Sequence, residues 1–155
     1  MVKLDYPGMI PGGAVMDLAW TDDSQKLVAV GTGKKRAVAV NIESKTSAGD
    51  LIGHTASLLC CDIKNPKPYA LVLGGEDKEC QFFKGPPFKF EKTFQKLHTN
   101  FINKCLFSQD GNTFVTVSSD KSIKVNTTDT YETLITAENV HEMGIIDFTF
   151  TDKSN

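Results

Sequence analysis

The chain has 155 residues, of which 40% are hydrophobic and 23% are charged, values close to those of an average globular protein. Its 17 Lys and Arg residues nearly balance 19 Asp and Glu residues, and a net charge of −2 gives no long-range attraction for nucleic acid or an anionic membrane surface. No apolar run reaches the roughly 18 residues of a membrane span, and residues 1–7 lack the apolar centre of a signal peptide.

Four segments repeat one pattern, in which a short apolar strand ends in Trp, Ile or Phe and a polar turn follows. These segments are 15–20, 58–63, 102–107 and 145–150. Their last residues are Trp20, Ile63, Phe107 and Phe150, separated by 43, 44 and 43 positions. A period of about 40–45 residues is typical of a WD-type β-propeller blade, which has four strands.

The residues between these segments also favour strands. In the third period they are 102–107, 113–118, 123–126 and 131–136, all short and rich in β-branched and aromatic residues. Segments 27–30 and 69–74 are nearly continuous apolar runs, as expected of strands covered on both faces. We therefore predict an all-β fold, part of a WD-repeat β-propeller with about three and a half four-stranded blades and no long helix.

The predicted blades divide the chain into a single propeller segment, 1–155. Their ranges are about 12–52, 53–94 and 95–136, with the start of a further blade at 137–155. Propellers have about 4–8 blades, so we expect the chain to be a piece of a larger propeller. The alternative is that copies of the chain close a ring. Unpaired blade faces in a truncated chain would also favour self-association.

The glycine-rich segment 30–36 contains Gly31, Gly33 and three consecutive cations, and it follows a predicted strand. A dinucleotide fingerprint needs a third glycine and a helix, and a phosphate loop needs the spacing GxxxxGK[ST]. Neither pattern is present, and 37–40 is predicted to be a strand. A hairpin turn between two strands of a blade is therefore the prediction for this segment.

Two His–Asp pairs recur with spacings of 23 and 22 residues: His54 with Asp77, and His98 with Asp120. In WD repeats such a pair forms a hydrogen bond that ties a loop to a turn, extended by a strand hydroxyl, for which Ser118 is the candidate. The first period has Pro11 and Lys34 at the two positions, so both partners are missing together. No nucleophile occupies a matching position, so we predict a structural pair and a protein that is not an enzyme.

The four cysteines show neither a CxxC pair nor the spacing of a disulfide framework. They are Cys60, Cys61, Cys80 and Cys105. Since no signal peptide is present, we predict reduced thiols in a cytoplasmic protein. Closed zinc sites usually bring paired ligands at short spacing, which these cysteines and the histidines do not offer. We predict no metal and no cofactor.

The segment 85–90, Gly-Pro-Pro-Phe-Lys-Phe, is predicted to turn into an outer strand, 88–94, because two prolines cannot lie inside a central strand. Phe88, Phe90 and Phe94 alternate with lysines along this strand. The simplest interpretation is that one aromatic face packs on its own blade. An outer strand has little core to cover three rings, however, so part of this surface is also available to a partner.

Several segments together resemble one family. Segments 17–24, 53–54 and above all 82–90 look like the N-terminal propeller of the actin-interacting proteins, the WD-repeat partners of cofilin, and 101–111 resembles the segment that follows there. The resemblance extends from about residue 12 to the end. It implies a protein of two seven-bladed propellers, of which this chain would form about the third to fifth blades of the first. The terminal Trp-Asp of WD repeats is absent.

The resemblance also implies a function. It predicts a scaffold of the cytoplasm and cytoskeleton that binds actin filaments and cooperates with cofilin to promote filament disassembly. A WD-repeat adaptor for another protein complex is the alternative. The implied contact residues are Lys89 and Phe90, with Phe101 in the next inter-blade segment and Glu76 beside the Asp turn. The competing interpretation is that both Phe rings pack between blades and Lys89 is solvated.

Overall fold

The computed structural model describes residues 13–151, which contain twelve β-strands and no helix. The strands are β1 (Val15–Trp20), β2 (Lys26–Gly31), β3 (Ala37–Asn41), β4 (Ser47–Gly49), β5 (Leu58–Lys64), β6 (Ala70–Gly75), β7 (Cys80–Lys84), β8 (Lys89–Phe94), β9 (Ile102–Phe107), β10 (Thr113–Ser118), β11 (Ile123–Thr127) and β12 (Thr133–Ala137). With no helix in this range, none is long and apolar enough to cross a membrane.

The strands form three antiparallel sheets of four consecutive strands, in the orders β1-β2-β3-β4, β5-β6-β7-β8 and β9-β10-β11-β12. Each sheet is a blade, so the predicted all-β propeller fold is confirmed. The first strands of neighbouring blades lie side by side, which places β1, β5 and β9 on the inner side and β4, β8 and β12 on the outside. The blade ranges given above stay predictions, and residues 1–12 and 152–155 lie outside the described part.

The strand predicted at 145–150 is not formed, and in this respect the sequence prediction was wrong. No second strand among the described residues pairs with this segment, so it has no hydrogen-bonded ladder. Its first residue is nevertheless held by the third blade. Ile145 is buried, its N–H donates to the Ser118 carbonyl at 3.0 Å, and its own carbonyl accepts from Asn103 Nδ2 at 2.7 Å.

The hydrophobic core lies between adjacent blades, because alternate residues of a strand point to opposite faces of the sheet. In β6, Leu71 and Leu73 face the first blade while Val72 faces the third. Burial of each such side chain contributes roughly 1.5–3 kcal/mol to folding. The four cysteines are all free and buried in these two layers, and burial raises the pKa of the Cys61, Cys80 and Cys105 thiols.

Two aspartates connect the inner strands of different blades. Asp17 Oδ2 accepts the N–H of Cys61 in β5 and the ammonium group of Lys104 in β9, each at 3.1 Å. Asp62 in β5 does the same for the next blade, since its Oδ2 accepts the N–H of Phe107 at 2.7 Å. No backbone ladder joins the blades at these strands, so the carboxylates satisfy N–H groups that face the neighbouring blade.

Burial perturbs the Asp62 carboxyl group. Burial raises its pKa to about 6, because the loss of solvation outweighs the hydrogen bonds donated by the Phe107 and Ile63 amides. A carboxyl group with a raised pKa in the folded state stabilises the fold at acidic pH. That stability is lost as the pH rises through the folded-state value.

Replacing Asp62 with Asn therefore changes how stability depends on pH. From about pH 4 to pH 7 the free energy of unfolding of Asp62→Asn should rise, relative to the unmodified chain, by on the order of 2 kcal/mol. If the substitution also removes a hydrogen bond, the free energy of unfolding shifts by the same amount at every pH, and the trend with pH remains. Urea unfolding at several pH values measures it.

Asp110→Asn is the matched control. The Ser108 hydroxyl and the Asn112 amide lower the pKa of the exposed Asp110, so it titrates below this range and its stability difference should stay flat between about pH 5 and 7. If the pH profiles of Asp62→Asn and the unmodified chain were parallel, burial of the ionised Asp62 carboxylate would not lower the free energy of unfolding.

Candidate functional site

The structure brings both predicted His–Asp pairs together. His54, in the loop before β5, places Nδ1 2.7 Å from Oδ2 of Asp77 in the β6–β7 turn. His98 and Asp120 make the corresponding contact at 2.9 Å in the third blade. Because a carboxylate only accepts, each Nδ1 carries the proton and donates it. Each pair therefore ties an inter-blade loop to the turn of its own blade.

In the third blade the tie is longer by one residue. With Nδ1 of His98 protonated, Nε2 accepts from the Thr116 hydroxyl at 2.9 Å. The Ser122 hydroxyl lies 3.0 Å from Nδ1 and donates to Asp120 Oδ1 at 2.6 Å. Ser118 was the wrong residue for the strand hydroxyl. It lies at the end of β10, where its hydroxyl donates to the Asn100 carbonyl, while the His98 ring reaches further along the strand.

The second blade lacks this extension. Leu73 occupies the position of Thr116, since each pairs with a cysteine of the first strand of its own blade. Nε2 of His54 is consequently buried without a hydrogen-bond partner among the described residues. A buried acceptor without a donor costs roughly 1–3 kcal/mol, so the two ties differ in strength.

The first blade is joined to the second by a different residue. Arg36, at the end of the glycine-rich turn, donates from Nη1 to the His54 carbonyl at 3.4 Å and from Nη2 to the Thr55 carbonyl at 3.1 Å. The segment 30–36 is thus the end of β2 and the β2–β3 turn, with no helix behind it. The hairpin turn predicted for 30–36 is confirmed, but the sequence did not indicate the contacts of Arg36.

The electrostatics of the pairs fit a structural role. Burial alone would raise the pKa of Asp77 and of Asp120, but hydrogen bonds from neighbouring donors, including His54 to Asp77 and Ser122 to Asp120, lower both below the ordinary value. Burial lowers the pKa of His98, which is therefore neutral. Within the described range, no three His, Cys, Asp or Glu side chains are grouped as metal ligands.

The first half of the predicted partner surface lies where β8 begins. Lys89 is exposed, and Phe90 is 53% exposed while the edge of its ring meets Phe83 at a centroid distance of 5.9 Å. Of the three predicted aromatic residues, Phe88 and Phe94 are buried, so Phe90 alone presents its ring to solvent. This surface therefore consists of the Phe90 ring, which packs partly on Phe83, and the neighbouring Lys89 ammonium group, which pairs with no described carboxylate.

A cavity of about 570 Å³ opens beside this ring, between the first and second blades. Its lining includes Asp50 and the 77% exposed side chain of Ile52. The two blades meet closely here. The Phe88 amide donates to the Ala48 carbonyl at 2.7 Å, and a Cβ atom on Gly49 would lie 2.5 Å from the Phe88 carbonyl oxygen, so glycine is required at that position.

The other two predicted contact residues lie at the opposite end of the blades. Glu76, half-buried, follows β6 at the end where Cys80 pairs with Phe94, whereas Lys89 pairs with Lys84 at the other end. Phe101, 41% exposed, precedes β9 at the same end as Glu76. A strand of this length separates the two ends by roughly 17–20 Å.

The four residues therefore form two pairs rather than one patch. Lys89 with Phe90 is one pair, and Glu76 with Phe101 is the other. In an antiparallel blade the turn before the fourth strand and the loop after it lie at opposite ends. The spacing of these residues along the sequence does not reveal this separation, but the alternating direction of successive strands does.

This fold and its loop-to-turn ties define the chain as a segment of a WD-repeat β-propeller. The family model described as "WD domain, G-beta repeat" matches residues 88–125, which include His98, Thr116 and Asp120. A solved structure entitled "Structure of U3-55K" superposes with a TM-score of 0.77 at 17% identity, covering 86% of this chain and 41% of the other. That likeness concerns the fold alone.

Curated relatives place the sequence more closely. It is 41% identical over 124 residues to WD repeat-containing protein 1 of Gallus gallus, covering 79% of this chain and 20% of that protein. It is 40% identical to the 66 kDa stress protein of Physarum polycephalum, with 77% and 20% covered, and 41% identical over 111 residues to actin-interacting protein 1-2 of Arabidopsis thaliana, with 70% and 18% covered.

These relatives confirm the resemblance to the actin-interacting proteins that segments 17–24 and 82–90 indicated. The chain spans about a fifth of the length of the relatives it matches.

The His98 tie predicts a specific loss of stability. Asp120→Ala leaves Nδ1 of His98 and the Thr99 amide without their acceptor, and should lower the free energy of unfolding by about 1–3 kcal/mol. Thr116→Val keeps the shape of the side chain and removes one hydroxyl, and should cost about 1 kcal/mol. Urea denaturation of the purified chain measures both.

The exposed Asp129, which accepts only from the adjacent Thr130 amide, is the matched control for the loss of an aspartate. Asp129→Ala should change stability by less than about 0.5 kcal/mol. Equal losses at positions 120 and 129 would mean that the loop-to-turn tie does not stabilise the blade.

Proposed function

We propose that this chain is an actin-binding scaffold that cooperates with cofilin to promote disassembly of actin filaments. It would act in the cytoplasm, on the cytoskeleton, as a binding protein and not as an enzyme. The observation that carries the proposal is the 41% identity, over 70% of the chain, to a plant protein named for its interaction with actin. WD-repeat blades typically serve as rigid scaffolds, which agrees with binding by surface loops.

Lys89 and Phe90 form the surface that best suits the filament. An aromatic ring anchored on one edge supplies apolar area at little entropic cost, and a free lysine beside it meets acidic groups of a partner. Phe90 is held by Phe83 and still exposes half its surface, and no described carboxylate pairs with Lys89. The neighbouring cavity with Ile52 extends the apolar area.

Glu76 and Phe101 offer a second contact surface at the other end of the blades. Phe101 is less exposed, at 41%, and its carbonyl accepts the Ser119 amide at 3.0 Å, which fixes the backbone beneath the ring. The acidic character of Glu76 suits a basic partner surface. We assign the filament to Lys89 and Phe90, and this second pair to cofilin.

Cosedimentation of the chain with actin filaments, with and without cofilin, tests the proposal. The unmodified chain should pellet with filaments, and more of it should do so when cofilin is bound. Lys89→Ala with Phe90→Ala should weaken binding to both kinds of filament by about tenfold or more, as expected for the loss of an aromatic hot spot. The melting temperature should stay near that of the unmodified chain.

Glu76→Ala with Phe101→Ala serves as the comparison, because it removes an aromatic and a charged residue from the opposite end. It should abolish the increase caused by cofilin and leave binding to bare filaments unchanged. A large loss of thermal stability with binding retained would show that Lys89 and Phe90 are core residues. Failure of the unmodified chain to pellet would favour an adaptor for another complex.

A further inference from the structure

A groove on the outer side of the second and third blades shares Phe90 with the first surface above, and its lining includes none of Lys89, Glu76 and Phe101. Its volume is about 680 Å³, and it follows the chain from Phe90 in β8 to Leu97 in the loop after it and reaches β11 and β12 of the third blade. We name it the outer groove and define it by Lys92, Lys96, Lys124, Phe94 and Tyr131.

The outer groove carries an excess of positive charge. Lys92 and Lys96 are exposed and Lys124 is half-buried, and none of the three forms an ion pair with a described carboxylate. Lys124 is close enough to His98 to contribute to lowering the pKa of that side chain. Three ammonium groups along one groove attract a partner that carries several negative charges.

The one acidic residue in the lining does not offset these lysines. Glu91 Oε1 accepts from Lys84 at 2.8 Å and from the Tyr131 hydroxyl at 3.0 Å, so it forms its ion pair with a lysine other than these three. The Lys84 ammonium group also lies 5.4 Å from the centroid of the Tyr131 ring. These contacts fix the aromatic floor of the groove and leave its lysines free.

The groove also presents a free strand edge. Among the described residues, β8 is the last strand of its sheet and pairs only with β7, so every second N–H and C=O of 89–94 faces outward without a strand partner in that range. An extended peptide can add to such an edge, with main-chain hydrogen bonds giving affinity and side-chain contacts giving specificity. At the floor of the groove, Phe94 and Tyr131 meet edge to face with their ring centroids 6.3 Å apart.

We propose that the outer groove binds an extended acidic segment of a partner protein, which adds along β8 and places its carboxylates against Lys92, Lys96 and Lys124. The strand edge favours a peptide over a nucleic acid, because a nucleic acid has no backbone that completes a β-ladder.

The test uses fluorescence anisotropy of the full chain with a labelled ten-residue peptide that alternates Glu and Val. Binding should be saturable and weaken as salt is added. Lys92→Glu with Lys96→Glu should weaken it by about tenfold or more, because two attractions become repulsions. The same variant should gain affinity for the peptide in which Lys replaces Glu. Lys124→Glu is a second, single variant.

Lys34→Glu with Lys35→Glu is the matched control. These are two exposed, adjacent lysines outside the groove that also form no ion pair, so the change in net charge is identical. The control should change affinity by less than about threefold.

Backbone recognition has a control of its own. N-methylation of alternate peptide residues removes the donors needed for strand addition, and should abolish binding. Equal losses in the two double variants, binding that survives N-methylation, or a ten-nucleotide single strand of DNA that binds the same lysines more tightly than the peptide would each overturn the proposal.

Discussion

A sheet that is apolar on both faces cannot stay folded with either face in water, and the architecture follows from this constraint. In β6, Leu71 and Leu73 need cover on one side and Val72 on the other, and the neighbouring blades supply it. Radial stacking covers both faces and leaves the inner strands side by side without a ladder between them. The carboxylates of Asp17 and Asp62 then supply hydrogen bonds that backbone pairing cannot.

Because of the same constraint, the residues that stabilise the fold differ from those available to bind partners. Packing between blades fixes the sheets, and the His–Asp ties hold the loops against the turns, so the ends and outer edges of the blades are free to differ in sequence. Phe90 shows the boundary between the two roles, because one edge of its ring packs on Phe83 while the remainder faces solvent. Each surface described above is such an end or edge.

Much of the fold could be predicted because it depends on periodicity. The bounds of β9 and β10 were predicted to the residue, since both are short segments of strand-forming composition that end in polar turns. The features that could not be predicted depend on which strands pair and on the directions of side chains and strands in space. The segment 145–150 has strand-like composition but no strand partner among residues 13–151, and the His98 ring reaches Thr116 rather than Ser118. The contact residues divide between two ends because antiparallel strands reverse direction.

The Arg36 contact is a link of a different kind from the His–Asp ties. A guanidinium group bound to the His54 and Thr55 carbonyls joins the β2–β3 turn of the first blade to the loop before β5, whereas each imidazole–carboxylate pair joins a loop to the turn of its own blade. The loop before β5 is therefore held from two sides, by the turn of the blade before it and by the turn of its own blade. Releasing this loop from both blades would require the loss of both contacts.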